Sequence, residues 1–371
     1  MKKLYVAATR QNEGKTTNCL GLMLTLPKLL GPVGFMKPVG QRYVTLPDGA
    51  KVDEDVVLIH EVCGVKEDPR VMSPIAIERT FTREHIDAPQ LEELKKKISL
   101  SFEKVSSGKE FVIIEGTGHA GVGSVFGLSN ATVAKLLGAK VVIVTGGGIG
   151  RPIDEVALNR ALFEQHGVEI VGVILNKVLP QKLSEAKKYV GKYLKSTGIE
   201  LLGAIPFHPG LYGPTVGQIT EELGAEVLAS KQRLSTRVES IVVAAMAPHQ
   251  ALDYIRDGSL VITPGSREDI ILTVIGSHLA GPSHRAHPNR IGAAALLLTG
   301  DDLPHENIMR LVVRAHIPVI RVKENTYEAA SRVHDLRVKI RPGDRYKIQL
   351  ARHLIRDHLN TSLILKRLGI S

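Results

Sequence analysis

The stretch LYVAATRQNEGKTT, residues 4–17, decides the fold of the N-terminal half of this chain. Residues 4–8 form an apolar run of strand length, and a helical pattern over residues 15–30 follows the polar loop between them. A strand, a glycine loop and a helix in this order form a phosphate loop, because the first amides of the helix point at a bound anion. Gly14 lets the backbone approach the anion, Lys15 adds a charge and Thr16 offers a hydroxyl to Mg²⁺. The stretch therefore predicts a nucleoside triphosphate site, although Thr9 stands where the common pattern has its first glycine. The predicted nucleotide contacts are Asn12, Glu13, Gly14, Lys15, Thr16 and Thr17.

Outward from this loop, apolar runs alternate with helical patterns over the first 207 residues, which is typical of a parallel sheet covered on both faces. The predicted strands are residues 4–8, 33–39, 111–116, 139–146, 169–175 and 201–207. The clearest helices are residues 15–30, 91–105, 130–137, 153–166 and 181–196. Residues 48–87 are more polar and less regular, so we expect them at the ligand edge of the sheet. The predicted fold class is α/β, with a parallel-sheet P-loop NTPase domain.

Two prolines and a glycine within residues 206–210 place a linker near residue 210. The α/β pattern then returns on a smaller scale, with strands predicted at residues 240–245, 259–264, 293–299 and 318–322. Helices are predicted near His249, Arg267, His305 and Tyr327. We therefore expect a P-loop domain over residues 1–210, a smaller α/β domain over residues 211–330 and a basic helical tail over residues 331–371. The tail is expected to pack on the second domain or on a partner subunit.

Composition narrows the classes of function. No apolar run reaches the roughly 18 to 20 residues of a membrane span. Cys19 and Cys63 are too few for a disulfide framework or a four-ligand zinc site, which favours a reducing cytoplasm. The formal net charge of +10 suggests a nucleic-acid partner, but aromatic residues make up only 4% of the chain and no basic stripe is interleaved with them. We expect a cytoplasmic protein whose basic excess lies on solvated helix faces.

Two other strand ends carry candidate site residues. Lys37 lies near the end of the second predicted strand and Glu115 near the end of the third, at the edge where parallel sheets bind ligands. Mg²⁺ on a triphosphate typically takes one or two carboxylates. Glu115 and a member of the acidic cluster at residues 53–55 are the available ligands.

These segments carry a resemblance to known proteins. The spacing of TRQNEGKTT (9–17), FMKPVGQ (35–41), Asp55, IIEGTGH (113–119) and LNK (175–177) resembles dethiobiotin synthetase. It resembles more closely the dethiobiotin-synthetase-like N-terminal domain of long bacterial phosphotransacetylases. The segments PTVGQI (214–219) and ITPGSRED (262–269) resemble the DRTGG domain that follows it there.

The resemblance implies ATP and Mg²⁺ as cofactors and assigns individual roles. Lys15 and Thr16 would hold the phosphates and the metal, which Asp55 and Glu115 would also ligate. Asn176 would read the base, and Lys37 would face a reacting carboxylate or carbamate.

Two departures from the family bear on activity. The loop TGHAGVGS (117–124) contains His119 and no counterpart for a diamine, so dethiobiotin synthesis is not expected. The acyltransferase domain is not part of this chain, so phosphotransacetylase activity is not expected either. We therefore expect a nucleotide-dependent sensor or regulator in central carbon or acyl-phosphate metabolism. The alternatives are an ATP-dependent ligase or kinase acting on a small carboxylate near Lys37 and, on charge alone, a nucleic-acid-binding protein.

Arg10 lies five residues before Lys15, where the deviant phosphate loops of dimeric ATPases carry a signature lysine. A cation there can stabilise phosphoryl charge on a partner's nucleotide, as an arginine finger does. The position predicts a homodimer or higher homo-oligomer with Arg10 acting in trans, and the alternative is a solvent-facing loop arginine.

Other patterns are interpreted more simply. The glycines at 116, 118 and 121 match a dinucleotide fingerprint, but no helix is predicted at the third, so a ligand loop is preferred. The run GGGIGRP (146–152) predicts a tight connection or a second anion contact, and residues 264–269 an anion site or an acidic first helical turn. His278, His284 and His287 have no cysteine or acidic partner at ligand spacing, so they are assigned to a polar loop.

Overall fold

The computed structural model describes residues 1–280, 293–336 and 338–370 of the chain. The chain divides into two compact units. The first comprises Met1–His208 together with the segment that begins at Ile340, and the second is Pro209–Lys339. The chain therefore leaves the first unit once and later returns to it.

The first unit is built from ten strands and nine helices before residue 208, and their bounds follow. The strands are β1 (Lys2–Ala8), β2 (Val33–Met36), β3 (Val39–Gly40), β4 (Tyr43–Thr45), β5 (Lys51–Asp53), β6 (Ile75–Ala76), β7 (Phe111–Glu115), β8 (Lys140–Thr145), β9 (Ile170–Val178) and β10 (Leu201–Pro206). The helices are α1 (Lys15–Thr25), α2 (Pro27–Leu30), α3 (Glu54–Cys63), α4 (Pro69–Met72), α5 (Phe81–Asp87), α6 (Leu91–Ser106), α7 (Asn130–Leu136), α8 (Gly150–Gln165) and α9 (Leu183–Ser196).

Six strands of this unit form one parallel sheet in the order β10-β9-β8-β1-β7-β2. Every residue of β2 and β7 is buried, which explains why they are apolar apart from Glu115 at the end of β7, because parallel strands are covered on both faces. β1 pairs with β7 on one side and β8 on the other. The loop after β1 therefore meets residues that follow its neighbours. This is the predicted P-loop NTPase-like α/β fold.

Residues 48–87 are more regular than expected. β5 pairs antiparallel with β4, β6 pairs with β3, and α3, α4 and α5 occupy much of residues 54–87. The side chain of Asp53 accepts a hydrogen bond from the Asp55 amide at 2.9 Å and caps α3. The acidic cluster at residues 53–55 is thus a helix start, in which carboxylates complement the dipole.

The second unit is a smaller α/β domain. Its strands are β11 (Glu226–Ala229), β12 (Ser240–Val243), β13 (Ser259–Pro264), β14 (Ala293–Thr299) and β15 (Val319–Val322). Its helices are α10 (Pro209–Tyr212), α11 (Val216–Leu223), α12 (Pro248–Tyr254), α13 (Glu268–Ala280), α14 (Glu306–Arg314) and α15 (Thr326–Asp335). The sheet order is β11-β15-β14-β13-β12, and β11 alone among these strands runs antiparallel, against β15. The strand β11 was not predicted from the sequence. It is a short edge strand in which Glu226 is exposed and only Ala229 is fully buried.

The basic tail contributes two helices to the first unit, α16 (Arg345–His358) and α17 (Thr361–Arg367). α16 packs on α1 so closely that a Cβ at Gly21 would lie 2.2 Å from Cγ1 of Ile355. A Cβ at Gly203 of β10 would lie 2.3 Å from the His358 carbonyl oxygen. These helices therefore pack on the first unit rather than on the second domain. No helix in the described part of the chain is both long and apolar enough to cross a membrane.

Candidate functional site

The loop between β1 and α1 depends on glycine at position 14. Gly14 has φ 95°, in the left-handed region, and a Cβ there would lie 2.1 Å from Nδ2 of Asn176. That Asn176 nitrogen donates to the Glu13 carbonyl at 2.7 Å, and Nδ2 of Asn18 donates to the Gly14 carbonyl at 2.9 Å. Asn12 also has a positive φ, 62°, which asparagine tolerates better than most residues. Side chains from β9 and α1 thus hold the loop backbone in a conformation that requires glycine.

Lys15 places its ammonium group inside this loop region. Its Nζ donates to the carbonyl of Gly118 at 3.1 Å, and the residue is 8% exposed. Burial lowers the pKa of Lys15 to about 8, although the nearby Glu115 carboxylate acts in the opposite direction. The loop therefore contains a desolvated cation.

Lys37, just after β2, lies among three carboxylates. Its Nζ is 3.0 Å from Oδ1 of Asp53, pairs with Oδ2 of Asp55 and is 3.5 Å from Oε1 of Glu115. All four residues are buried. Burial disfavours the charged lysine, but the three carboxylates hold the pKa of Lys37 well above its usual value. We call these four side chains the Lys37 cluster.

Thr16 connects the phosphate loop to the Lys37 cluster. Its Oγ1 donates to Oε1 of Glu115 at 2.8 Å. Burial raises the pKa of Glu115, and Lys37 counteracts that effect. The other oxygen of Glu115, Oε2, is buried and accepts no hydrogen bond from the residues the structure describes.

The oxygen donors at this point suit Mg²⁺, which prefers hydroxyl, carboxylate and phosphate ligands. Within the described ranges, no group of three or more His, Cys, Asp and Glu side chains is arranged to hold a metal ion by itself. Bound Mg²⁺ would therefore take oxygen ligands from water or from a bound ligand in addition to Thr16 and the acids, an arrangement typical of Mg²⁺ sites.

Glu155 on α8, which the sequence analysis did not single out, contacts the start of the loop. Oγ1 of Thr9 donates to its Oε2 at 2.8 Å, and Nε of Arg10 and Nε of Arg151 lie 2.7 and 3.2 Å from its Oε1. The signal that could have revealed it is Thr9 itself, since a hydroxyl in place of glycine needs a partner when buried. Arg10, whose side chain is 58% exposed, is thus ion-paired within its own chain.

A cleft of about 390 Å³ opens beside the loop at the ends of β8 and β9. It is lined by Glu13, Gly146, Gly147, Gly148, Arg151, Lys177, Val178, Leu179 and Lys182. Burial raises the pKa of Glu13, and the charge of Lys177 opposes the shift. The glycine run at 146–148 therefore borders a cavity and leads into α8, which begins at Gly150.

The other candidate loops offer fewer polar groups that are free to bind a ligand. The run from Gly116 to Gly121 opens no α-helix, so the dinucleotide fingerprint lacks its helix. In the second domain, Arg267 pairs with Asp269 at 2.8 Å and donates to the Met246 carbonyl at 2.9 Å. The charged side chains at the start of α13 therefore pair within the domain, which favours the acidic first helical turn over the anion site. His278 lies in α13, and His284 and His287 fall outside the described residues.

The structure thus gathers five of the predicted site residues at one edge of the sheet. These are Lys15, Thr16, Lys37, Asp55 and Glu115. Asn176 donates a hydrogen bond to the loop backbone, and Thr17 is half-buried in the first turn of α1. Arg10 is ion-paired with Glu155 of α8.

A phosphate loop after the central strand of a parallel sheet defines a P-loop NTPase-like protein. The chain belongs to the family described as AAA domain, whose profile matches residues 2–215. Residues 218–336 match the DRTGG domain. The predicted order, a P-loop domain of the phosphotransacetylase type followed by a DRTGG domain, is confirmed.

Curated relatives match both domains. The phosphate acetyltransferase of Nitratidesulfovibrio vulgaris is 31% identical over 380 residues, which cover 98% of this chain and 51% of that protein. The phosphate acetyltransferase of Pseudomonas putida is 28% identical, and the match covers 100% of this chain and 52% of that protein. The chain thus spans about half the length of these relatives. Among solved structures, the MinD cell division protein of Aquifex aeolicus is 15% identical with a TM-score of 0.37, covering 57% of this chain and 84% of that one.

Proposed function

We propose that the first domain binds Mg-ATP at residues 9–17 and that the chain is a nucleotide-dependent sensor or regulator in central carbon or acyl-phosphate metabolism. The observation that carries the proposal is the buried Lys15 ammonium beside a loop that requires glycine at position 14. A desolvated cation is costly, and a polyphosphate would offset that cost. The resemblance to phosphate acetyltransferases over the whole chain supports the metabolic context and a cytoplasmic location.

In this proposal each residue has a definite task. The first amides of α1 and the Lys15 ammonium bind phosphate oxygens, together with the loop residues Asn12 and Glu13 and with Thr17. Thr16, Asp55 and Glu115 hold Mg²⁺, which neutralises phosphate charge when bound. The buried, unpaired Oε2 of Glu115 supports this assignment. Asn176, next to the cleft, is assigned to the base side of the nucleotide.

Arg10 is assigned to a partner subunit's nucleotide in a homodimer or higher homo-oligomer. Its ion pair with Glu155 would have to open for this role, because the same guanidinium cannot serve both anions fully. ATPase activity per subunit that is the same at all protein concentrations, and unchanged in Arg10→Ala, would contradict the assignment.

An ATP-dependent ligase or kinase is the second candidate, and the position of Lys37 favours it. A buried ammonium beside the proposed metal ligands is suited to a small carboxylate or carbamate that receives a phosphoryl group. ATP turnover that requires a particular carboxylate, and that is lost in Lys37→Ala while ATP still binds, would establish this candidate over the sensor.

A thermal-shift experiment tests the nucleotide site. With Mg-ATP at about 100 times its Kd, the folded state gains roughly 2.7 kcal/mol, so the melting temperature of the first unit should rise by several degrees. Lys15→Ala should lose most of this rise. Lys140→Ala, which removes an exposed ion pair with Glu169, should keep it and is the matched control. A wild-type protein whose melting temperature does not respond to Mg-ATP would refute the proposal.

A further inference from the structure

One carboxylate of the Lys37 cluster, that of Asp53, is held in place by the backbone around it. Asp53 caps α3, and its amide donates to Oγ of Ser73 at 2.9 Å. A Cβ at Gly40 would lie only 2.6 Å from Oδ2 of Asp53, so the neighbouring strand packs directly against this carboxylate. The Asp53 carboxylate is therefore fixed in place, and its ion-pair partner, Lys37, has a long side chain with several rotatable bonds.

The backbone of Lys37 is anchored as well, and its side chain is buried against the three carboxylates. Its amide donates to the Met72 carbonyl at 2.8 Å, which anchors the main chain between β2 and β3. The ammonium group sits at the end of four methylene groups and can change partners by rotation. Three buried carboxylates meet this one ammonium, and Glu115 keeps a buried oxygen without a hydrogen bond. Lys15 also interacts electrostatically with Asp55 and Glu115, so these two carboxylates lie between two ammonium groups.

We propose that Lys37 and a divalent cation compete for the same carboxylates, so that metal binding displaces the Lys37 ammonium and presents it to an anionic ligand. The inference rests on the proposed metal site and adds that the metal binds before the anionic ligand. Asp55 and Glu115, assigned to the metal, are the groups that hold Lys37 in this structure. A dication and an ammonium on the same oxygens repel each other, and the flexible group yields.

The consequence is a coupling between metal and anion. Without a metal, the Lys37 ammonium is paired with the carboxylates of its cluster, and the residue is only 5% exposed. It therefore does not bind anions that reach the sheet edge. With a metal bound, the displaced ammonium becomes a binding group for a small carboxylate or a phosphate. The site would then accept its anionic ligand only when the divalent cation is already present.

Binding of Mn²⁺ alone, without nucleotide, tests the competition. Lys37→Met removes the charge and keeps most of the side-chain volume, so Mn²⁺ should bind about tenfold or more tightly than to the wild type in titration calorimetry. Lys109→Met is the matched control, because Lys109 pairs with the single carboxylate of Glu67 and is also largely buried. Its Mn²⁺ affinity should equal that of the wild type. A Lys37→Met protein that binds Mn²⁺ no more tightly than the wild type overturns the inference.

A second measurement uses the wild type and does not depend on a folded variant. Lysines are labelled briefly with an amine-reactive ester in millimolar Mg²⁺ or in a chelator, and labelling at each site is quantified by mass spectrometry. Labelling of Lys37 should rise several-fold with Mg²⁺, while Lys140 should not change. Unchanged or reduced labelling of Lys37 contradicts the displacement. If Mg²⁺ raises the labelling of Lys37 but ATP does not raise the melting temperature, this inference stands and the nucleotide proposal is refuted. If ATP raises the melting temperature but Mg²⁺ does not raise the labelling of Lys37, the nucleotide proposal stands and this inference is refuted.

Discussion

Replacing Gly21 by alanine should destabilise the first unit, although alanine normally strengthens a helix by about 0.5 to 1 kcal/mol relative to glycine. Gly21 lies inside α1, on the face that packs against α16. The added Cβ would lie 2.2 Å from Cγ1 and 2.6 Å from Cβ of Ile355, and 3.1 Å from the Ala351 carbonyl oxygen. A new rotamer of Ile355 moves Cγ1 but not Cβ. The two helices must therefore separate.

The expected loss follows from two opposing contributions. Overpacking in a well-packed interior costs about 1 to 3 kcal/mol, and the better helix propensity of alanine returns up to about 1 kcal/mol of that. The net loss is then about 1 to 2 kcal/mol. In a unit of this size, each kcal/mol shifts the melting temperature by roughly 2 to 4 °C, so a drop of roughly 2 to 8 °C is expected.

Gly191→Ala is the matched control, because Gly191 also lies inside a helix, α9. Its added Cβ would have its nearest contact at 3.5 Å, an ordinary van der Waals distance, so this variant should gain about 0.5 to 1 kcal/mol. Thermal unfolding followed by circular dichroism compares the two variants with the wild type. A Gly21→Ala protein that is as stable as Gly191→Ala would refute the close packing of α1 and α16.

Burial raises the pKa of Glu13 in the folded state, so the charged carboxylate destabilises the fold at neutral pH. Urea titrations should therefore show that Glu13→Gln is more stable than the wild type at neutral pH. This gain should vanish below about pH 4.5, where Glu13 is protonated in both the folded and the unfolded state. A gain that persists at low pH would contradict this. Glu155→Gln removes the charged partner of Arg10 and should cost about 1 to 3 kcal/mol of unfolding free energy, whereas Glu169→Gln at an exposed ion pair should cost at most about 1 kcal/mol. Equal losses would show that Glu155 has no special role. Asn176→Ala should lower nucleotide affinity in calorimetry because it releases the Glu13 carbonyl, and unchanged affinity would argue against the support it gives the loop.

The phosphate loop and the main sheet were predictable because their physical causes are local. The central residues of strands that are covered on both faces are mostly apolar, so the strands of the main sheet appear as apolar runs in the sequence. The loop is marked by Gly14 and Lys15, whose types its conformation and charge require. Because the ends of parallel strands share one edge, the meeting of Lys37 and Glu115 also followed from their positions after two strands.

Contacts between distant segments could not be predicted in the same way. The sequence shows that α16 is amphipathic, but it does not show which surface its apolar face covers. Gly21 looks like an ordinary helix glycine until Ile355 is found against it. Likewise, Glu155 is one of several acids on a helix, and its contact with Thr9 across 146 positions depends on the folded sheet. Residues 53–55 were noted for their charge, while their role as the start of α3 was missed.

Because α16 and α17 return to the first unit, the DRTGG domain is inserted into the P-loop domain instead of being appended to it. A protein shortened at the end of β10 would leave uncovered the surface of α1 on which Ile355 packs, and it would aggregate more readily than its own composition suggests. The sounder excision joins residue 208 to residue 340 with a short flexible connector and keeps both terminal helices.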